Sequence, residues 1–219
     1  MRTRVIDDRL RRSFERDAVD CVVLLGCGLD ARALRLAAPA GVEWLELDRA
    51  PVLAWKAHRL AALAQPRVRR APIDLGDRAD VERALDEVRG RAVVVLEGVL
   101  QYLAPPAVAA LLRVLGQRTT WTRVLCDVGG GRWSRWFARG VARTAREAGA
   151  PYRTRIDDAA RLFAEHGLSV VEQVSLATWD QAQPRPRWRR PWSASWMPSY
   201  VDAARVLEAA PANQIATAR

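Results

Sequence analysis

The chain has 219 residues, half of them hydrophobic and about a quarter charged, a length that suits one domain with a substantial core and a composition that excludes disordered and fibrous classes. Its net charge is +10 with a pI near 10.9, yet only Lys56 among the 35 basic residues is lysine, a bias that a GC-rich genome explains at least as well as selection for nucleic-acid phosphates. No apolar run reaches the roughly 18 residues that cross a bilayer, and the charged start lacks the apolar core of a signal peptide, so a cytoplasmic protein without a membrane partner is expected.

Short apolar runs alternate with helix-length segments along the chain. Candidate strands are CVVLLG (21–26), EWLELD (43–48), RRAPID (69–74), AVVVLEG (92–98), RVLCDVG (123–129) and LSVVEQVSL (168–176). Candidate helices run over 30–36, 51–63, 77–88, 105–115, 132–148 and 156–166, with Pro51 and Pro105 near first turns and Gly167 as a stop. A further helical pattern, VDAARVLEAA, closes the chain. Strands apolar on both sides and separated by helices describe an α/β doubly wound domain with a mostly parallel sheet. Cys21, Cys27 and Cys126 are odd in number and lack CxxC spacing, so neither a disulfide framework nor a metal site is indicated.

In such sheets ligands lie beyond the carboxyl ends of the strands. There the chain offers, in order, Gly26-Cys27-Gly28-Leu29-Asp30, Asp48, Asp74-Leu75 and Glu97-Gly98. Each motif alone reads equally as a turn or a helix cap. Together they fit a nucleoside cofactor, with Asp48 spaced to accept hydrogen bonds from a ribose diol. A dinucleotide fits less well, because Asp30 at the start of the next helix would compete with a pyrophosphate for one positive helix end. S-adenosyl-L-methionine has no phosphate and raises no such conflict.

LLGCGLDARALRL, LELDRAPVLAWK, PIDLGD and LEGVLQYL, in this order and spacing, resemble the leucine carboxyl methyltransferase family, and within it the bacterial O-methyltransferases of polyketide and other secondary metabolism. The resemblance covers residues 2 to about 115 and is loose beyond. It implies a Rossmann-like class I methyltransferase domain over 1–219, with an N-terminal cover segment at 1–20. It also implies the cofactor roles: Arg2 pairing with the methionine carboxylate, Gly26 and Gly28 lining methionine and ribose, Asp48 holding the ribose hydroxyls, Asp74 and Leu75 meeting adenine, and Glu97 facing the methionine amino group. Tyr102 either borders the methyl-transfer position or belongs to the core.

The chain departs from the family in two ways. Members carry an N-terminal extension that helps cover the site, whereas this chain starts at the RT element, which leaves Arg2 open to fraying and requires other material, or a second copy in a homodimer, to enclose the substrate. The loop reads GLDAR where the family has GLDTR, one hydroxyl fewer.

Methyl transfer needs alignment and water exclusion more than a base, and carboxylic acids are already ionised at neutral pH. His58 and His166, on or at the end of helices, read as surface or capping residues. Their unsuitability as bases favours an acid substrate, although Glu97, Asp127 or Tyr102 would serve a more basic acceptor. At 130–155, Arg132, Arg135, Arg139, Arg143 and Arg146 form one helical stripe beside Trp133, Trp136, Phe137 and Val141. Such a helix either packs its apolar face on the sheet or brings Trp133, Trp136 and Arg132 to the substrate. The segment 181–200, with Trp188, Trp192 and Trp196, is a second candidate wall.

The sequence thus points to methyl-ester formation on the carboxylic acid of a small metabolite. An RNA methyltransferase, suggested by RPRWRRPW, and a non-catalytic cofactor-binding partner subunit are the alternatives. Nucleic acid is disfavoured as a partner because no recognisable RNA-binding module is present.

Overall fold

The computed structural model describes residues 2–63, 67–129, 149–176 and 204–211, with Arg143, Arg146 and Glu147 besides. A seven-stranded sheet organises them: β1 (Cys21–Leu25), β2 (Glu43–Asp48), β3 (Val68–Pro72), β4 (Ala92–Leu96), β5 (Trp121–Gly129), β6 (Leu168–Ser175) and β7 (Ala204–Pro211). Their order is β3-β2-β1-β4-β5-β7-β6, with all pairs among the first five parallel and β7 antiparallel to both of its neighbours. The chain reverses its direction of travel across the sheet between β1 and β4, which opens a crevice at their carboxyl ends.

Alternation along the strands splits the core in two. Val23, Leu25, Val94 and Leu96 face one layer with Val81 of α4 (Arg78–Asp86), Leu111 of α5 (Pro105–Gly116) and Phe163 of α6 (Ala159–Ala164). Val22, Leu24, Val93 and Val95 face the other, with Val5, Ile6 and Leu10 of α1 (Arg2–Arg16) and Leu53 of α3 (Ala50–Arg59). The continuous apolar runs read from the sequence are therefore strands covered on both sides. Ile6 and Leu10 are fully buried, and each contributes about 1.5–3 kcal/mol by leaving water. The segment 1–20 is thus a core helix over most of its length and not only a cover.

Beneath α3, Glu46 is 1% exposed; its Oε1 lies 2.8 Å from Lys56 Nζ and its Oε2 2.7 Å from Arg70 Nε. The single lysine therefore neutralises a buried strand carboxylate.

Two sequence expectations are corrected. The closing helical pattern at 201–210 is strand β7 over Ala204–Pro211, hydrogen-bonded to β5 on one side and β6 on the other. Ala, Leu, Arg and Glu favour helix locally, but a slot between two strand edges satisfies donors and acceptors on both sides of the segment. The helix expected over 30–36 shrinks to α2 (Arg32–Arg35), because Asp30 is spent on the turn: its Oδ1 accepts the Arg32 backbone N–H at 2.7 Å. The expected helix over 132–148 lies almost wholly outside the described residues.

Candidate functional site

A cavity of about 840 Å³ opens at the carboxyl ends of β1, β4 and β5. Its floor is the turn after β1. Gly26 and Gly28 both have positive φ, 66° and 47°, a region that glycine enters without cost. A Cβ on Gly26 would come within 2.7 Å of Val99 Cγ2, whereas one on Gly28 would meet nothing within 4 Å. Gly26 is therefore required by packing, and Gly28 presents bare backbone to open space. The Gly28 N–H is held by Asp48 Oδ2 at 2.7 Å, and Asp48 Oδ1 takes the Arg49 N–H at 2.7 Å.

One wall is charged. Arg2, the first residue of α1, donates from Nε to Glu97 Oε1 at 2.9 Å and from Nη1 to Asp127 Oδ2 at 3.1 Å. Thr3 Oγ1 donates to Glu97 Oε1 at 2.7 Å. Arg32, 1% exposed, links Asp7 (2.7 Å), Glu97 (2.5 Å) and Asp30, and donates to the Thr3 carbonyl. Arg35 adds two bonds to Asp7. The expected fraying of Arg2 is not what these contacts describe: two carboxylates fix its guanidinium.

The electrostatics follow from this wiring. Burial acts to raise the Glu97 carboxyl, but the Arg32 charge and hydrogen bonds from Thr3, Arg32 and Arg2 outweigh it and hold it below its ordinary value. Asp127 goes the other way: burial raises it, with the Arg2 charge and the Gly98 N–H offsetting only part. Cys27 also borders the cavity, and burial pushes its thiol up to about 12, so it stays protonated and is no nucleophile.

The opposite wall is aromatic and uncharged save for Arg155 at its rim. Tyr102, in a 3₁₀ turn over Leu100–Tyr102, lies with its ring centroid 5.1 Å from that of Tyr152 at 46°. The segment bearing Tyr152 is docked on this turn: Arg153 and Thr154 N–H groups donate to the Gln101 carbonyl at 2.8 and 3.2 Å, and Thr154 Oγ1 to the Leu103 carbonyl at 2.6 Å. Thr154 and Arg155 complete the rim.

Of the residues singled out in the sequence, Arg2, Gly26, Gly28, Asp30, Glu97, Tyr102 and Asp127 border this one cavity. Asp48 supports the glycine turn from behind and is not among the lining residues. Asp74 is exposed, with its Oδ1 on the Gly76 N–H and its own N–H on Asp80, and Leu75 packs beside Gly26; neither lines the cavity. Trp133, Trp136, Arg132 and the tryptophans at 188, 192 and 196 lie outside the described residues. His58 is exposed on α3, and His166 Nδ1 lies 2.9 Å from the Leu162 carbonyl as part of a helix end. Sequence reasoning missed Asp7, Arg32 and Gln101; the first arginine of LDARALR, Arg32, was visible but indistinct among so many.

The open space at Gly28 and the partly used donors and acceptors fit an amino-acid-bearing nucleoside. Glu97 accepts three of the roughly four hydrogen bonds that a carboxylate can take, leaving room for an ammonium group. Arg2 spends two of its five N–H groups in these bonds, leaving the rest for a carboxylate.

Residues 1–116 match the family model for leucine carboxyl methyltransferases. A candidate S-adenosyl-L-methionine-dependent methyltransferase of Streptomyces coelicolor, SCO6443, is 44% identical over 117 residues, 51% of this chain and 39% of its own. One from Mycobacterium ulcerans is 39% identical over 128 residues, 55% of this chain and 41% of its own. The match thus spans about two-fifths of these relatives' length. Among solved structures, a candidate methyltransferase of Thermobifida fusca superposes with a TM-score of 0.68 at 15% identity, covering 96% of this chain and 80% of that one. A DUF574 family protein of Streptomyces avermitilis gives 0.63 at 15%, covering 95% and 82%. These likenesses show the class I methyltransferase fold. On the match over its first 116 residues, the chain belongs to the leucine carboxyl methyltransferase family.

Proposed function

We propose that this chain binds S-adenosyl-L-methionine in the cavity beyond β1 and β4 and methylates an oxygen of a small-molecule carboxylic acid. The observation that carries this reading is the convergence of the Gly26–Gly28 turn, Arg2 and Glu97 on one cavity of about 840 Å³. The relatives' names, which describe methyltransferases that use this cofactor, support it.

When bound, S-adenosyl-L-methionine supplies an electrophilic methyl group on sulfur. Arg2 pairs with its carboxylate, and Glu97, kept ionised by Arg32, holds its ammonium. Gly26 and Gly28 let the methionine and ribose approach the main chain, Asp48 serves the ribose hydroxyls at the edge of that turn, and the adenine extends past the cavity toward Asp74 and Leu75. Tyr102 borders the acceptor and excludes water. Trp133, Trp136 and Arg132 belong to the acceptor side in this reading.

An acid acceptor suits the chemistry available. A carboxylate is ionised at neutral pH and requires no general base. The acidic groups that line the cavity are paired, Glu97 and Asp127 with Arg2 and Asp30 with Arg32, and Cys27 stays protonated. The enzyme's task is alignment, which a preformed site performs without proton transfer. Incubation of the full chain with the cofactor and paired acids and amides, followed by mass spectrometry, tests this: one added methyl group on the acid and none on its amide is expected. Equal methylation of the amide, or none of either, overturns the acid assignment.

A further inference from the structure

Of the arginines that line the cavity, Arg2, Arg32 and Arg35 turn to carboxylates of the charged wall, and Arg155 does not. Its partner is Asp157, which is not among the lining residues: Arg155 Nε donates to Asp157 Oδ1 at 2.7 Å, and Nη2 lies 2.7 Å from the same oxygen. Both contacts use the Nε side of the guanidinium. Nη1 and the second N–H of Nη2, which form its outer end, have no partner among the described residues, and the side chain is 35% exposed. An exposed ion pair such as this one adds little stability, so Asp157 aims the cation without cancelling it.

The backbone fixes where that cation stands. On one side of Arg155 the Thr154 N–H donates to the Gln101 carbonyl at 3.2 Å; on the other the Ile156 N–H donates to the Gly129 carbonyl at 3.2 Å. Gln101 lies in the turn that follows β4, and Gly129 ends β5. Arg155 is therefore pinned between the two strand ends that bound this side of the cavity.

Its surroundings restrict the ligand. No acid lines the cavity from the 3₁₀ turn or from residues 152–155, so an anion meets no like charge there. Tyr102 and Tyr152, with ring centroids 5.1 Å apart, and Val128 and Leu176 give the same cavity apolar and aromatic surface. Such surface packs well on a flat ring. The charged wall, with Arg2 and Glu97, suits the zwitterionic end of the cofactor, and about 840 Å³ leaves space for a second ligand beside it.

We infer that Arg155 is the anion anchor of the acceptor subsite, pairing through Nη1 and Nη2 with the carboxylate of an aryl-bearing acid whose ring lies on the Tyr102 and Tyr152 side. This deepens the proposed function and rests on it. The planar fork of arginine matches the two oxygens of a carboxylate, and the pair uses one lone pair on each, so an oxygen held this way keeps another for the methyl group. Arg155 is a specificity-determining residue: it selects the ionised acid over its neutral analogues. The product ester has no charge and loses this hold.

The test is calorimetric titration of the full chain, saturated with S-adenosylhomocysteine, with cinnamate, 1-naphthoate and indole-3-acetate and with the amide and methyl ester of each. At least one acid binds about 10-fold or more tightly than its amide and its ester in the native chain. In Arg155→Met the ratio falls to about one, and in Arg155→Lys, which keeps the charge without the fork, it is lowered but stays above one. Affinity for S-adenosylhomocysteine stays within about twofold in both variants. Ratios near one in every native set, no binding of any of the acids, or a preference that survives Arg155→Met or is untouched in Arg155→Lys overturns the inference. Weakened S-adenosylhomocysteine binding in both variants also overturns it, by making this side chain a cofactor contact. Failure of the native chain to bind S-adenosylhomocysteine strikes instead at the proposed function.

Discussion

The two walls of the cavity are built on opposite principles. On the charged wall Arg2, Arg32, Asp7, Asp30, Glu97 and Asp127 engage one another, and α1, the glycine turn and the ends of β4 and β5 are tied together through them. On the neutral wall Gln101, Tyr102 and Tyr152 are positioned by backbone bonds between the 3₁₀ turn and the segment 152–154. The difference teaches where this fold keeps rigidity and where it keeps choice. A buried charged network is costly unless every member is paired, so it tolerates little variation. A neutral wall of side chains on a fixed backbone can change its ligand without unfolding the domain.

The largest expected effect comes from breaking the charged wall at its centre. Arg32→Met leaves Asp7, Asp30 and Glu97 without their shared cation and is expected to cost about 3–5 kcal/mol in urea unfolding. A loss under 1 kcal/mol would mean that the network is not structural. Leu10→Ala, in the helix that carries Arg2, is expected to cost about 2–5 kcal/mol by opening a cavity in the core.

The pH dependence sharpens the comparison within the charged wall itself. Glu97 has a folded pKa below its ordinary 4.5, so its contribution is present above that value and is lost as pH falls through the folded pKa. Asp127 has a folded pKa above its ordinary 3.8, so its contribution is present below 3.8 and is lost as pH rises through the folded value. Glu97→Gln should therefore flatten the acid limb of stability against pH. Asp127→Asn should gain on the native chain as pH rises from 3.8. Urea midpoints measured between pH 3 and 7 check both signs.

The smallest effect belongs to the neutral wall. Tyr152→Phe keeps the ring and is expected to change stability by no more than about 1 kcal/mol, with its consequence confined to acceptor KM.

The same contrast governs what could be read from the sequence. β1, β2, β4 and the glycine turn were legible because uninterrupted apolar runs ending in Gly or Asp have one economical use in a doubly wound sheet. Helix α1 was obscured by arginines that outnumber its apolar positions, although Val5, Ile6 and Leu10 form its buried side. Strand β7 was misread as helix because its partners, β5 and β6, are distant in sequence and override a local preference. Arg2, Glu97 and Tyr102 border one cavity, whereas Asp48 braces the glycine turn and Asp74 is exposed outside the cavity. Gln101 gave no signal, since a neutral amide acquires a place in the site only once the fold brings its turn to the cavity.

The central claim is that the bare backbone at Gly28 is the seat of an S-adenosyl nucleoside. Calorimetric titration of the full chain and of Gly28→Val with S-adenosylhomocysteine tests it most directly, because the added side chain strains a positive φ and occupies the open space. Saturable binding with one ligand per chain in the native protein, weakened at least about 100-fold in the variant, is the expected result. Equal affinity in both, or no binding to the native chain, would contradict the account.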